Sequence, residues 1–240
     1  MQIEWTAGRQ AFAARAAAQV AAVLAETPEP AIALPTGMTP VGLYRQLLAE
    51  QDAGRVALGH GHYFNLDEYV GVGQSDSHSF AAFLQRHFLG AAQIPAAHIR
   101  LLHGDAPDIV AEAQAHDAAV AARGGLDLAI LGLGGNGHIA FNEPGADWSA
   151  GTHIVPLTDE TRAANAAYFN DGFTVPSHGV TMGIGMLRAA RRILLMVSGT
   201  AKAEALAILL DGKPDPAWPV TALCGHPDLI LVADEALRPA

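Results

Sequence analysis

Short apolar runs alternate with longer helical patterns through the whole chain, and this alternation limits the possible folds more than any other feature of the sequence. Apolar runs at residues 31–34, 62–66, 99–102, 126–131, 153–157, 193–197 and 229–233 have the length of strands. Residues 9–25, 40–51, 80–89, 108–123, 158–169 and 180–190 carry apolar residues at helical spacing, as does the stretch from about 200 to Leu210. Strand and helix taken in turn predict an α/β fold of Rossmann-like type, an open and mainly parallel sheet with helices on both faces. Thr39 reads as a helix N-cap with Pro40 at the first helical position, and Thr158 reads as another cap. Residues 170–178 read as a mobile connection.

At 240 residues the sequence fits one α/β domain, residues 1–240, and half of its residues are hydrophobic, enough for a large core. The net charge of −10, with no basic stripe, argues against a nucleic-acid partner. An anionic ligand must then be held by local donors, because long-range attraction is poor. Cys224, the single cysteine, leaves no internal disulfide and no zinc set, and reads as a small buried residue. No uncharged apolar run approaches membrane-spanning length, and the opening MQIEWTAGRQ lacks a signal-peptide pattern. The expectation is a cytoplasmic protein with neither metal nor membrane partner.

Residues bearing chemistry gather just after the strands. The stretch 131–145, LGLGGNGHIAFNEPG, runs from a strand into a glycine cluster that delivers His138 and, five residues later, Glu143. A histidine there titrates near neutrality, and a nearby carboxylate can fix its tautomer. Residues 132–137 match the dinucleotide fingerprint G-x-G-x-x-G, but Pro144 closes off the helix that the fingerprint requires, so a nicotinamide cofactor is rejected. Two strand–turn–helix junctions, at Thr36-Gly37-Met38-Thr39 and at Ser198-Gly199-Thr200-Ala201-Lys202, have the form of anion sites. Asp67 and Glu68 follow a third strand, where either is placed to serve as a base or the pair simply begins a loop.

Four segments in this order, Pro35-Thr36-Gly37-Met38-Thr39-Pro40, Phe64-Asn65-Leu66-Asp67-Glu68-Tyr69, Gly137-His138-Ile139-Ala140-Phe141-Asn142-Glu143-Pro144 and Ser198-Gly199-Thr200-Ala201-Lys202, resemble the glucosamine/galactosamine-6-phosphate isomerase family. Within it, the resemblance is to the isomerising glucosamine-6-phosphate deaminases. It implies conversion of glucosamine 6-phosphate and water to fructose 6-phosphate and ammonia without a cofactor. It implies that His138 opens the sugar ring, assisted by Asn136 and Glu143, and that Asp67 moves the proton between C2 and C1. Thr36, Gly37, Met38, Thr39 and Lys202 would bind the phosphate. Family members often carry a basic residue where this chain has Ala167, and Arg162 is the cation nearest to hand as a replacement. Larger members also have a longer C-terminus and basic residues near His153 and Val155, which form an allosteric site. The expectation here is an unregulated monomer or small homo-oligomer. Two alternatives are weighed: a 6-phosphogluconolactonase-type hydrolase, disfavoured by Tyr69 and by Phe-Asn-Glu-Pro, and a non-catalytic sugar-phosphate-binding module.

Overall fold

The computed structural model describes residues 1–166 and 172–239. In chain order these form β1 (Gln2–Thr6), α1 (Gly8–Glu26), β2 (Ala31–Leu34), α2 (Val41–Asp52), β3 (His62–Asn65), β4 (Asp67–Tyr69), α3 (Phe80–Leu84) and β5 (Ile99–Arg100). There follow α4 (Ile109–Ala122), β6 (Leu128–Gly132), β7 (His153–Pro156), α5 (Asp159–Ala166), β8 (His178–Thr181), α6 (Ile184–Arg188), β9 (Arg192–Val197), α7 (Ala203–Asp211) and β10 (Leu229–Asp234). Short 3-10 turns and one π-helical turn, Gln85–Leu89 directly after α3, complete the described elements.

Seven strands make one parallel sheet in the order β1-β10-β9-β6-β2-β3-β5. Side chains alternate across it as the pleat requires. Ile32, Leu34, Leu128, Ile130, Leu194 and Met196 join the core under α1 and α2, and the intervening Ala31, Ala33, Ala129, Leu131, Ile193 and Leu195 join the core under α4, α6 and α7. A strand buried on both faces has no polar positions, which is why these segments read as continuous apolar runs. The α/β architecture is therefore as the alternation predicts.

The winding reverses between β2 and β6. From β2 the chain builds outward through β3 to β5, then returns to β6 and builds the other way through β9 and β10. In open α/β sheets a crevice forms outside the carboxyl ends of the strands at such a switch point.

Four features depart from the sequence reading. The N-terminal strand β1, which is not among the apolar runs, pairs in parallel with β10. Residues 180–190, expected to be helical, are split between β8 and the short α6. Asp67 and Glu68 do not open a loop; with Tyr69 they form β4, which joins β8 and β7 in a small antiparallel sheet. The cap expected at Thr39 is also absent, since α2 begins at Val41 after Pro40 with no side-chain cap. By contrast, Thr158 does cap α5, its Oγ1 accepting from the Thr161 amide at 3.2 Å. The last turn predicted for that helix, with Ala167, and part of the connection at 170–178 lie outside the described residues.

Candidate active site

The crevice at the switch point is a cleft of about 450 Å³, within the usual range for small-molecule sites. Thr36, Gly37, Met38 and Thr39 line it from the loop after β2, and Lys202 reaches it from the turn after β9. Since no side chain caps α2, the first amides of that helix keep their hydrogen-bonding capacity for a ligand. Lys202 is half-buried, and this burial lowers its pKa against the opposing pull of Glu160.

Asp67 and His138 line the same cleft. Asp67 gets there because β3 crosses into β4 through a fully buried Asn65. The Asn65 Nδ2 donates to the Asp67 carbonyl at 2.8 Å, while its Oδ1 accepts from the Leu102 amide at 2.8 Å. Successive residues of a strand face opposite ways. Asp67 faces the cleft, whereas Glu68 turns to the start of α3 and accepts from the amides of Tyr69, Phe80 and Ala81 at 2.9, 3.0 and 2.9 Å. Burial, and then the neighbouring Glu68, push the Asp67 pKa up to about 8. Burial raises Glu68 to about 7 against the opposing effect of its three amides.

His138 ends a turn that only glycine permits. A Cβ on Gly134 would lie 2.3 Å from the imidazole Nδ1. That Nδ1 is 2.7 Å from the Asn136 Oδ1, which also accepts from the His138 amide at 3.2 Å. The Asn136 Nδ2 donates to Glu143 Oε2 at 2.8 Å. A carboxylate only accepts, so the orientation of the Asn136 amide is fixed from both sides. Its carbonyl in turn can only accept, so Nδ1 carries the proton and Nε2 is left with a lone pair. Burial is the largest influence on the imidazole and lowers its pKa, with Lys202 acting in the same direction and Glu143 and Glu160 opposing. Asn136 and Glu143 do not line the cleft; they stand behind His138 as its supports. Ala140, two residues on, takes a φ of +51°, an unfavourable conformation for a residue with a Cβ and one that tends to mark functional turns.

Several lining residues escape the sequence reading. Phe83, Arg86 and His87 enter from α3 and the π-helical turn, and Thr161 enters from α5. Their helical spacing was legible, but nothing in it says which face meets the cleft. Arg162 is not among the residues lining the cleft; its guanidinium donates to the Val175 carbonyl at 3.2 Å and to Asp159 at 3.4 Å. Among the described residues no three His, Cys, Asp or Glu side chains are grouped to hold a metal ion, and no helix is long and apolar enough to cross a membrane.

Comparison with known proteins narrows the chemistry. A family described as glucosamine-6-phosphate isomerases/6-phosphogluconolactonase matches residues 6–231. The chain belongs to this family. Glucosamine-6-phosphate deaminase of Shouchella clausii is 39% identical over 92% of this chain and 90% of the relative. That of Oceanobacillus iheyensis is 36% identical over 98% and 94% respectively. A solved structure described as a monomeric glucosamine-6-phosphate deaminase superposes with a TM-score of 0.95 at 35% identity, covering 99% of this chain and all of that one. The 6-phosphogluconolactonase of Thermotoga maritima shares the fold at a TM-score of 0.77 with only 18% identity.

Proposed function

We propose that the protein is an isomerising glucosamine-6-phosphate deaminase, releasing ammonia and fructose 6-phosphate from glucosamine 6-phosphate and water. The observation that carries this reading is the pairing, in one cleft, of a desolvated carboxylate and an imidazole of fixed tautomer. Relatives spanning nearly the whole chain and bearing the deaminase name support it over the lactonase alternative.

In this reading His138 Nε2 takes the proton of the anomeric hydroxyl and delivers it to the ring oxygen, so the pyranose opens. The Asn136–Glu143 pair holds the imidazole for that transfer. Asp67 then removes the C2 proton of the open aldose to give an enolamine, and returns a proton to C1. The resulting imine at C2 adds water and loses ammonia. Both of the second-stage transfers occur at adjacent carbons, so one base reaches both. A carboxylate with a pKa near 8 is a far stronger base than an ordinary aspartate, which suits removal of a carbon-bound proton. Thr36, Gly37, Met38 and Thr39 with Lys202 receive the phosphate, meeting the demand for local donors set by the acidic net charge. The polypeptide acts as a monomer or small homo-oligomer in the cytoplasm.

A coupled assay tests the reading directly. Purified protein given glucosamine 6-phosphate should yield ammonia and fructose 6-phosphate in equal amounts. Release of acid from 6-phosphogluconolactone instead, or turnover of neither compound, would overturn it.

A further inference from the structure

Glu143 divides its two oxygens between two parts of the molecule. Oε2 accepts from Asn136, and Oε1 accepts from the hydroxyls of Thr161 and, at 3.3 Å, Thr158. Thr161 is 4% exposed and also lines the cleft, so the wall helix α5 is joined to the support of His138 by one buried hydroxyl. In a capping box the third helical residue is Glu or Gln and reaches back to the cap. Here that position is Thr161, and its side chain goes across to Glu143 instead.

Without that donor Oε1 keeps only the 3.3 Å contact from the exposed Thr158, and the carboxylate has a nearer use. Its Oε2 lies 3.8 Å from the His138 Nδ1, while the Asn136 Oδ1 lies 2.7 Å from the same atom. A small rotation of Glu143 would bring the carboxylate directly onto the imidazole and displace the amide. The imidazole would then favour its charged form, which has no lone pair left at Nε2.

We propose that Thr161 is a positioning residue for His138: it holds Glu143 toward α5, so that Asn136 rather than Glu143 receives the imidazole N–H. The kinetic part rests on the deaminase reading above; the structural part does not. The charged groups acting on His138 are Glu143 from its own loop, Glu160 from α5 and Lys202 from the turn after β9, and the Thr161 substitution leaves all three in place.

Thr161→Val removes the hydroxyl at nearly constant shape. With glucosamine 6-phosphate, kcat should fall by about tenfold or more while KM stays within about twofold, part of the roughly 10²–10⁴ contributed by a positioned proton-transfer group. Thr161→Ser should restore most of the lost rate. Histidine-labelled NMR of the free enzyme, with the His138 signal assigned by its absence in His138→Gln, should show an Nδ1-protonated neutral ring in the wild type. In Thr161→Val its titration should move to higher pH. If Thr161→Val does not fold, Thr161→Ala is measured in the same way. Unchanged kcat with an unchanged titration overturns the proposal, as does a rise in KM at constant kcat, which would make Thr161 a substrate contact. Should the wild type release no ammonia, the deaminase reading fails and the NMR titration alone decides this one.

Discussion

The two ends of the cleft are made of different materials. At the Thr36–Thr39 end the donors are backbone amides at an uncapped helix start plus one half-buried ammonium, all set by turns that directly follow strands. At the Asp67–His138 end every group is oriented by side chains, near ones that are themselves tied to remote segments: Asn65 under Asp67, held by Leu102, and Asn136 and Glu143 behind His138, held by Thr161. The first kind of end binds charge by geometry that any sequence with the right turn can supply. The second tunes proton affinity, which needs burial and partners that only the tertiary fold brings together. The difference implies that changes at one end should alter affinity and changes at the other should alter rate.

The sharpest test of that division is Asp67→Asn. Turnover should fall by about 10²–10⁴, the range for loss of a positioned base, with KM nearly unchanged. Hydrogen exchange at C2 with solvent should vanish. Near-normal deamination would remove Asp67 as the base and break the comparison.

Lys202→Ala probes the other end and should leave kcat largely intact. The lost charged hydrogen bond is worth roughly 1.5–3 kcal/mol, so KM for glucosamine 6-phosphate should rise by about ten- to a hundredfold. Unphosphorylated glucosamine should be turned over no worse by the variant. An equal loss with both sugars would contradict the assignment.

A smaller effect concerns stability rather than turnover. The Asp67 pKa is near 8 in the fold against an ordinary value of 3.8, so between those limits the folded state keeps a proton that the unfolded chain has lost. Stability attached to this group is therefore complete below about pH 4 and declines as pH rises toward 8. Asp67→Asn should melt at about the wild-type temperature near pH 4 and above it at pH 8 to 9, where its stability exceeds the wild type's by on the order of a few kcal/mol. Parallel melting curves at all pH values would show that the carboxylate is not desolvated in solution.

The smallest expected effect is none. His153 is committed to the Gly151 carbonyl at 2.8 Å, and Val155 offers an anion nothing. N-acetylglucosamine 6-phosphate should leave a hyperbolic rate curve unchanged, because an effector without a site has no differential affinity to exert. A sigmoidal curve made hyperbolic by that compound would reveal a site elsewhere.

The same division explains what could be read from the chain. The seven-stranded sheet was legible apart from its β1 edge, because strands buried on both faces are apolar throughout and are punctuated by glycine and proline turns. The residues of the loops at Thr36–Thr39 and Ser198–Lys202 follow from those turns. Of the small antiparallel sheet only β7 was legible, as the run 153–157. Its strands are three or four residues long, and β8 carries Val180 next to a run that mimics helical spacing. The nearby Gly183 signals something other than a weak helix, since a Cβ there would meet the Ala150 carbonyl at 2.3 Å. β1 does alternate polar and apolar residues, Gln2-Ile3-Glu4-Trp5-Thr6, but it is not an apolar run like the other strands of the sheet, and its pairing partner lies at the far end of the chain. The separate fates of Asp67 and Glu68 needed the strand alternation of β4, which no local pattern announced. Thr161 passed as an ordinary helix residue because its partner lies eighteen positions back at Glu143.

That small sheet has a further consequence. Asp67 stands opposite Thr181 and Glu68 opposite Val180 in the β4–β8 pairing. A shift of one residue would reverse the two faces of β4, presenting Glu68 to the cleft and sending Asp67 toward the α3 amides. Which acid is available for chemistry is thus recorded in a strand register, and insertions and deletions will be tolerated according to how they disturb it. The 73–78 loop can change length without touching that register. Removal of Leu66, the single residue between Asn65 and Asp67, would draw Glu68 into the place of Asp67 and withdraw Asp67 from it.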